Sequence, residues 1–150
     1  MFGFFNKSLN FIVRLQGEDA FGREATLAIV QAPRSLPRVV PLPARAEGGQ
    51  QFVLLSTIIE EFVPRLFEGM IIDECHQFRL TRNSDLFVDE EEADDLRRAL
   101  EGELAHRRYG AAVRLETTTD CPAELVKILA KQFGIGSHDI YAVPSPVNLH

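Results

Sequence analysis

The stretch with the densest ionisable chemistry runs from Phe78 to Leu96 and reads FRLTRNSDLFVDEEEADDL. Two arginines, Arg79 and Arg82, precede six carboxylates that fall within seven residues. Clustered carboxylates can bind a divalent cation, whereas arginine offers a planar fork of donors to carboxylates and phosphates. The stretch is therefore a metal or acid–base site, a binding patch, or only the join between a strand and a helix. The six acids are Asp89, Glu90, Glu91, Glu92, Asp94 and Asp95.

A helix beginning at Asp89 accounts for the acidic run better than a metal site does. A calcium loop of the EF-hand type needs a D-x-[DN]-x-[DN]-G pattern, and no glycine follows at the required place. Glu92 comes three residues after Asp89, which is a capping pattern, and acids at a helix start oppose the positive end of its dipole. The basic residues of 106–108 lie where positive charge helps the other end. We predict a helix here and no metal-binding residue.

The two arginines keep two alternatives open. They are an odd number of residues apart, so on a regular strand they point to opposite faces. Arg79 would lie opposite Phe78 and Leu80, and Arg82 on the side of those two. One arginine could then face a partner or a phosphate while the other closes onto Asp85 or the acidic helix. The alternative is that both make structural ion pairs only.

No catalytic constellation is recognisable among the histidines and cysteines. His76 follows Cys75, and neighbours along a strand point apart, which disfavours a thiol–imidazole pair. His106 falls on the predicted acidic helix, His138 in a loop and His150 at the last position. The sequence lacks zinc-binding spacings, the G-x-S-x-G motif, the P-loop and a dinucleotide-binding loop. We predict no catalytic and no cofactor-binding residue; the enzymatic alternative is a free-standing small phosphatase or phosphotransferase using His76 or His106.

Composition bounds the class of protein. The 150 residues carry a net charge of -6, with 45% hydrophobic and 25% charged residues. This is the size and composition of one globular domain, and the charge argues against a generic nucleic-acid binder. Cys75 and Cys121 lie far apart without a CxxC motif, which favours a reducing cytoplasm. No apolar run approaches the ~20 residues that span a bilayer. The abrupt start, without signal-peptide features, is typical of a Met placed before the middle of a longer protein.

Hydrophobic periodicity predicts a mixed α/β domain. Helices are predicted after a Thr57–Glu60 capping pattern, from Asp89, and from Pro122 to a stop at Gly134. Pro64 should kink or end the first of these helices. The Pro-rich segment 32–45 is predicted to be an extended connector or edge segment. Strands are predicted at 10–16, 23–31, 51–55, 70–82 (with a bulge near Cys75 and His76), 109–118 and 139–143. The predicted buried faces are Ile58, Ile59, Phe62, Leu66 and Phe67 on the first helix, and Leu125, Ile128, Leu129 and Phe133 on the third.

This order of elements predicts a single α+β (mixed α/β) domain. A mixed, largely antiparallel sheet should be flanked by about three helices.

Several segments together resemble one known family. APRSLPRVVPLP, FRLTRNSDL with its acidic run, and RYGAAVRLE, in this order with the intervening strands and helices, are similar to the middle, or head, domain of bacterial polyphosphate kinases. The resemblance covers essentially residues 1–150. Glu68 stands where the family often has Pro, and Ser145 where Gly is usual, which affects local turn shape only.

The resemblance implies more than the residues alone do. Such enzymes reversibly transfer the terminal phosphate of ATP, with Mg²⁺, to polyphosphate through a phosphohistidine in the cytoplasm. Their N-terminal domain and their histidine-bearing C-terminal domains would be absent from residues 1–150. The implied fold is similar to the histidine-phosphatase-like folds. The implied role is dimerisation and scaffolding together with the other domains of its own chain, without nucleic acid or a membrane segment; a generic protein-interaction domain is a further alternative. Five arginines are candidates for contact with polyphosphate or a partner: Arg34, Arg38, Arg79, Arg82 and Arg114.

Overall fold

The computed structural model describes residues 8–19, 21–22, 24–44, 48–83 and 111–147. These residues form a five-stranded sheet, a separate two-stranded hairpin and two α-helices, so the predicted α+β class is confirmed. Two helices rather than about three are described, because the helix predicted from Asp89 lies outside the described residues. The elements are β1 (Asn10–Gln16), β2 (Leu27–Gln31), β3 (Val39–Pro41), β4 (Phe52–Leu54), α1 (Leu55–Leu66), β5 (Ile71–Arg82), β6 (Ala112–Thr118), α2 (Ala123–Phe133) and β7 (Ile140–Val143), with a 3-10 turn at Ser137–Asp139 before β7.

The large sheet has the strand order β2-β1-β5-β6-β7. Every neighbouring pair is antiparallel except β6 and β7, which run parallel because α2 carries the chain back between them. The sheet is therefore mixed and largely antiparallel, as predicted. The Pro-rich segment contributes β3, which pairs with β4 in the small hairpin instead of joining the large sheet.

Alternation along the central strands builds two cores, one on each face of the large sheet. Phe11 and Val13 of β1 pack with Leu55 and Val63 of α1. The intervening Ile12 packs on the other face with residues of β5, β6 and α2. A strand buried on both faces reads as a near-continuous apolar run, and FIVRL of β1 does so apart from Arg14. The second core also contains Phe78, Leu80, Leu115, Leu125 and Leu129.

The start of α1 differs from the prediction. The helix begins at Leu55, directly after β4, with Leu54 as an N-cap that makes no side-chain hydrogen bond. The Thr57–Glu60 capping box is therefore wrong. Instead the first helical N–H, that of Leu55, donates to the carbonyl of Arg38 at 2.9 Å. The residue just before β3 therefore satisfies this N–H. Pro64 lies inside the last turn, and the helix continues past it to Leu66. The expectation that regular helix bonding ends before Pro64 is therefore wrong, and the helix ends two residues after it.

The buried stripe of α1 is narrower than predicted. Leu55, Ile59 and Val63, spaced four residues apart, pack into the core. Phe62 and Leu66 were predicted to be buried and are exposed.

Helix α2 follows its predicted ends closely. Pro122 is the N-cap rather than the first helical residue, and Gly134 ends the helix in the left-handed region at φ 68°. The N–H of Ile135 then donates to the carbonyl of Ala130 at 2.9 Å. Leu125 and Leu129 are buried as predicted, whereas Ile128 is exposed.

The predicted bulge on β5 exists but lies slightly earlier. The register to β1 shifts between Arg14 and Leu15, which pair with Glu74 and Ile72 and leave Asp73 as the extra residue. A second shift occurs at the end of β5, where Thr81 pairs with Arg114 and Arg82 with Ala112.

Candidate functional site

The best-defined charged cluster lies where β5 and β6 pair. Arg79 is directly opposite Glu116, and its Nε lies 3.1 Å from the Glu116 Oε2. The two side chains are only 18% and 10% exposed. As strand alternation predicted, Arg79 lies on the face opposite the buried Phe78 and Leu80. For Arg79 the structure thus favours the alternative of an internal ion pair.

Arg114 completes this cluster from the same strand as Glu116. Its Nη2 lies 3.1 Å from the Glu116 Oε1, so each carboxylate oxygen faces one guanidinium. The Arg114 side chain is 45% exposed, and its guanidinium lies 4.1 Å from the centre of the Tyr141 ring on β7. A cation over an aromatic face adds a stabilising contact that holds the guanidinium in place. We call Arg79, Arg114, Glu116 and Tyr141 the Glu116 cluster.

Arg82 is half-buried at the end of β5, opposite Ala112. Burial lowers the pKa of Arg82 from its ordinary value, since it disfavours the charged form. Asp85 and the acidic run, onto which one of the two arginines could close, lie outside the described residues. The Arg82 half of that prediction stays a prediction.

Arg34 and Arg38 lie in the connection between β2 and β3, away from the strands that carry the Glu116 cluster. The Arg38 Nη1 is buried and has no hydrogen-bond partner. Burial lowers the pKa of Arg38, and the positive charge of Arg34 lowers it further. Of the five candidate arginines, the structure therefore joins Arg79 and Arg114 through Glu116, whereas Arg34, Arg38 and Arg82 lie outside that cluster.

His76 is placed for structure rather than for accepting a phosphoryl group. Its side chain is 12% exposed, both ring nitrogens are buried, and Nδ1 lies 3.8 Å from the Asp120 Oδ2. Cys75 packs into the α1 core while His76 pairs with Ile12 on the other side, so the neighbours point apart as predicted. His138 falls in the 3-10 turn, and His106 and His150 lie outside the described residues.

A groove beside β1 has a volume of about 420 Å³. Its cation, Arg14, is balanced by two acids: Nε lies 3.0 Å from Glu74 Oε2 and Nη2 lies 3.1 Å from Glu124 Oε2. The pKa of Arg14 is raised, first by its hydrogen bond to Glu124. Within the described ranges, no three His, Cys, Asp or Glu side chains are grouped to bind a metal.

Comparison with known proteins places this arrangement in a family. The family model of the polyphosphate kinase middle domain matches residues 3–150. The chain belongs to the polyphosphate kinase middle-domain family. The middle domain is 55% identical over 145 residues to the polyphosphate kinase of Pseudomonas aeruginosa, covering 96% of this chain and 21% of that protein. It is also 55% identical to the polyphosphate kinase of Pseudomonas putida, covering 96% of this chain and 20% of that one.

A solved structure shares the fold of this middle domain. The crystal structure of polyphosphate kinase from Porphyromonas gingivalis matches with a TM-score of 0.69 and 21% identity, covering 99% of this chain and 20% of that chain. The chain thus spans about a fifth of the length of the relatives that it matches. Neither helix of the described residues is long and apolar enough to cross a membrane.

Two groups in the middle domain were missed at the level of sequence. Glu116 was read only as part of a strand, although the R-x-E spacing of Arg114 and Glu116 places both on one face. Gln77 was also missed. It is buried, its Nε2 donates to the Glu60 Oε1 at 2.7 Å, and its Oε1 accepts from the backbone N–H of Val147 at 3.3 Å. No local signal could have identified it, because its strand, IIDECHQFRLTR, carries many polar residues.

Proposed function

We propose that this middle domain acts within a longer polyphosphate kinase that reversibly transfers the terminal phosphate of ATP to polyphosphate. The observation that carries the proposal is the match of the family model to residues 3–150, together with 55% identity to polyphosphate kinases about five times as long. In the proposal, ATP and Mg²⁺ bind to other domains and a histidine outside this chain carries the phosphoryl group in the cytoplasm.

The role of the middle domain itself is assembly. The proposed contacts are with the other domains of its own chain and with a second copy, and its arginines help to line the route of the polyanion. Burial of both His76 nitrogens supports a non-catalytic role for this chain, because a phosphoryl acceptor nitrogen must reach the donor phosphate.

Two measurements test this proposal. The full-length enzyme is assayed for polyphosphate formation from ATP and Mg²⁺, and the chain of 150 residues is assayed in parallel. We expect polyphosphate from the full-length enzyme, and neither product nor acid-labile phosphoprotein from the chain alone. Activity of the chain alone, lost in His76→Ala, would contradict the proposal in favour of a free-standing phosphotransferase.

Self-association is measured separately by sedimentation equilibrium of the chain over a range of concentrations. A mass that rises toward that of a dimer supports the assembly role. If the chain of 150 residues and the full-length enzyme are both strictly monomeric, the assembly role is contradicted.

A further inference from the structure

Helix α1 carries two rows of apolar side chains, and only one of them packs into the domain. The row that begins at Leu55 is part of the core. Ile58, Phe62 and Leu66 follow the same four-residue spacing, so they form a second row beside it on the helix surface. Ile58 is half-buried, whereas Phe62 and Leu66 are 46% and 63% exposed. We call these three residues the outer row.

The outer row widens the apolar side of α1 beyond what the core of the domain covers. A helix that packs on one core needs an apolar stripe about 100° wide, and the two rows together span a wider arc. Large apolar side chains scattered singly on a surface are ordinary, but three that are aligned along one helix form a continuous strip. The pattern that predicted burial of Phe62 and Leu66 therefore indicates a second surface that packs against α1 in the longer enzyme.

Arg65 gives this strip a charged edge. Its guanidinium lies 4.9 Å from the centre of the Phe62 ring, in the last turn of α1. Aromatic side chains and arginine are enriched at interfaces between proteins. A surface that covers Phe62 also removes water from the Arg65 charge, and a desolvated charge needs a hydrogen-bonding partner. The expected partner therefore offers apolar side chains with a carboxylate or carbonyl oxygen at their edge.

The size of the outer row favours a tethered partner over a second free copy. The 12 residues of α1 form a helix about 18 Å long, and a strip at most about 10 Å wide on it supplies a footprint of roughly 200 Å². A stable interface between separate proteins buries about 800 Å² on each partner. A domain of the same polypeptide needs less contact, because the tether supplies an effective concentration of about millimolar. The chain spans about a fifth of the polyphosphate kinases that it matches, so the longer polypeptide has further sequence for such a domain.

We propose that the outer row of α1 is the docking surface for another domain of the same polyphosphate kinase polypeptide. That domain covers Phe62 and Leu66 with apolar side chains and accepts a hydrogen bond from Arg65. The identity of the partner rests on the proposed function, in which the middle domain acts within a longer enzyme. The existence of a docking surface rests on the exposed outer row itself.

The test compares thiol labelling at the outer row in the chain of 150 residues and in the full-length enzyme. Leu66→Cys carries the probe thiol, and a maleimide labels it at about pH 7, where the half-buried Cys75 and Cys121 react slowly. Ile128→Cys is the matched control, because Ile128 is apolar, 38% exposed and on α2, which packs on the opposite face of the sheet. Peptide mass mapping assigns each label to its cysteine.

We expect Leu66→Cys to react roughly tenfold or more slowly in the full-length enzyme than in the chain alone, since labelling then requires the docked domain to open. Ile128→Cys should react at similar rates in both proteins. Adding Phe62→Ser to Leu66→Cys in the full-length enzyme should restore most of the lost rate, whereas adding Ile128→Ser should not. Phe62→Ser should leave the Tm of the chain alone nearly unchanged, because Phe62 is exposed there.

A benzophenone attached at Leu66→Cys then identifies the covering surface in the full-length enzyme. An intramolecular crosslink to sequence outside residues 1–150 supports the proposal. A crosslink between two polypeptides, or labelling of the chain alone that slows as its concentration rises, makes another copy the cover and overturns the proposal. Slow labelling of the chain alone at every concentration places the cover within residues 1–150 and also overturns it.

Equal labelling of Leu66→Cys in the two proteins means that the outer row is uncovered, which overturns the docking surface. Should Leu66→Cys fail to fold, Phe62→Cys carries the same expectations and the same refuting outcomes. Failure of the docking surface leaves the formation of polyphosphate from ATP by the full-length enzyme intact, whereas failure of the proposed function removes that activity altogether.

Discussion

Replacing Glu116 by Gln tests the account of the charged cluster most directly. The substitution keeps the shape of the side chain and removes the charge that balances Arg79 and Arg114. Arg79 cannot move out to water easily, since its side chain is only 18% exposed. Removing one partner of a buried ion pair costs ~3–5 kcal/mol of unfolding free energy, and the partial exposure of Arg114 puts this case near ~2–3 kcal/mol.

A loss of this size is easily measured. For a domain of this length each 1 kcal/mol corresponds to about 2–4 °C in Tm, so we expect Glu116→Gln to lower Tm by about 4–12 °C. The assay is thermal unfolding followed by circular dichroism, with urea unfolding to give the free energy at one temperature.

Glu124→Gln is the matched control. Glu124 pairs with Arg14 at the same 3.1 Å distance, but its side chain is 71% exposed. Exposed pairs contribute ~0–1 kcal/mol, so this variant should lower Tm much less. Equal shifts for the two variants would refute the reasoning, because burial and not distance is the quantity that separates them.

Four further predictions concern other parts of the structure. Gln77→Ala removes the acceptor of the Val147 N–H, so we expect a loss of ~1–3 kcal/mol and faster hydrogen exchange at the Val147 amide; unchanged exchange would contradict the contact. Burial raises the pKa of Cys75 and of Cys121 to about 11, so both thiols should react slowly with a disulfide reagent at pH 8 in the folded chain and rapidly in urea. By linkage, the same raised pKa values predict that stability is retained below pH 9 and falls as the pH rises toward 11, and a flat unfolding free energy over that window would contradict this. Gly134→Ala should lower the unfolding free energy by about 1 kcal/mol, measured by thermal unfolding. The cost comes from the backbone, because residue 134 has φ 68°, and not from a clash, since no atom lies within 4 Å of the added Cβ.

Most strands and helices of this domain could be predicted because apolar residues follow the two-residue period of strands and the 3.6-residue period of helices. The strand 10–16 was predicted with the bounds observed, since its apolar run is framed by polar residues. The ends of α2 were predicted to within one residue from a proline and a glycine. The start of α1 could not be predicted, because its first N–H is satisfied by a backbone carbonyl 17 residues earlier and not by a local side chain. Local patterns do not report such long-range partners.

The sequence predicted which residue type could contact phosphate at the candidate site, but it did not predict which of these residues lie together. Arginines were recognised as suitable ligands for phosphate. That Arg79 is paired depends on Glu116, and this pairing follows from the register of two strands 30 or more residues apart. The unsatisfied donor of Arg38 depends likewise on what the fold packs around it. Register and enclosure are tertiary properties, so the joining of Arg79 and Arg114 through Glu116 required the structure.

The double-sided burial of β1 has a consequence for how this domain unfolds. Phe11 and Val13 belong to one core and Ile12 to the other, on a strand that pairs with both β2 and β5. A slip of one residue would exchange the contents of the two cores, so intermediate registers are strongly disfavoured. Neither core can be disrupted through β1 without exposing the other. Opening of α1 and opening of α2 should therefore be thermodynamically coupled through this shared strand, and the domain should lose both cores in one cooperative transition.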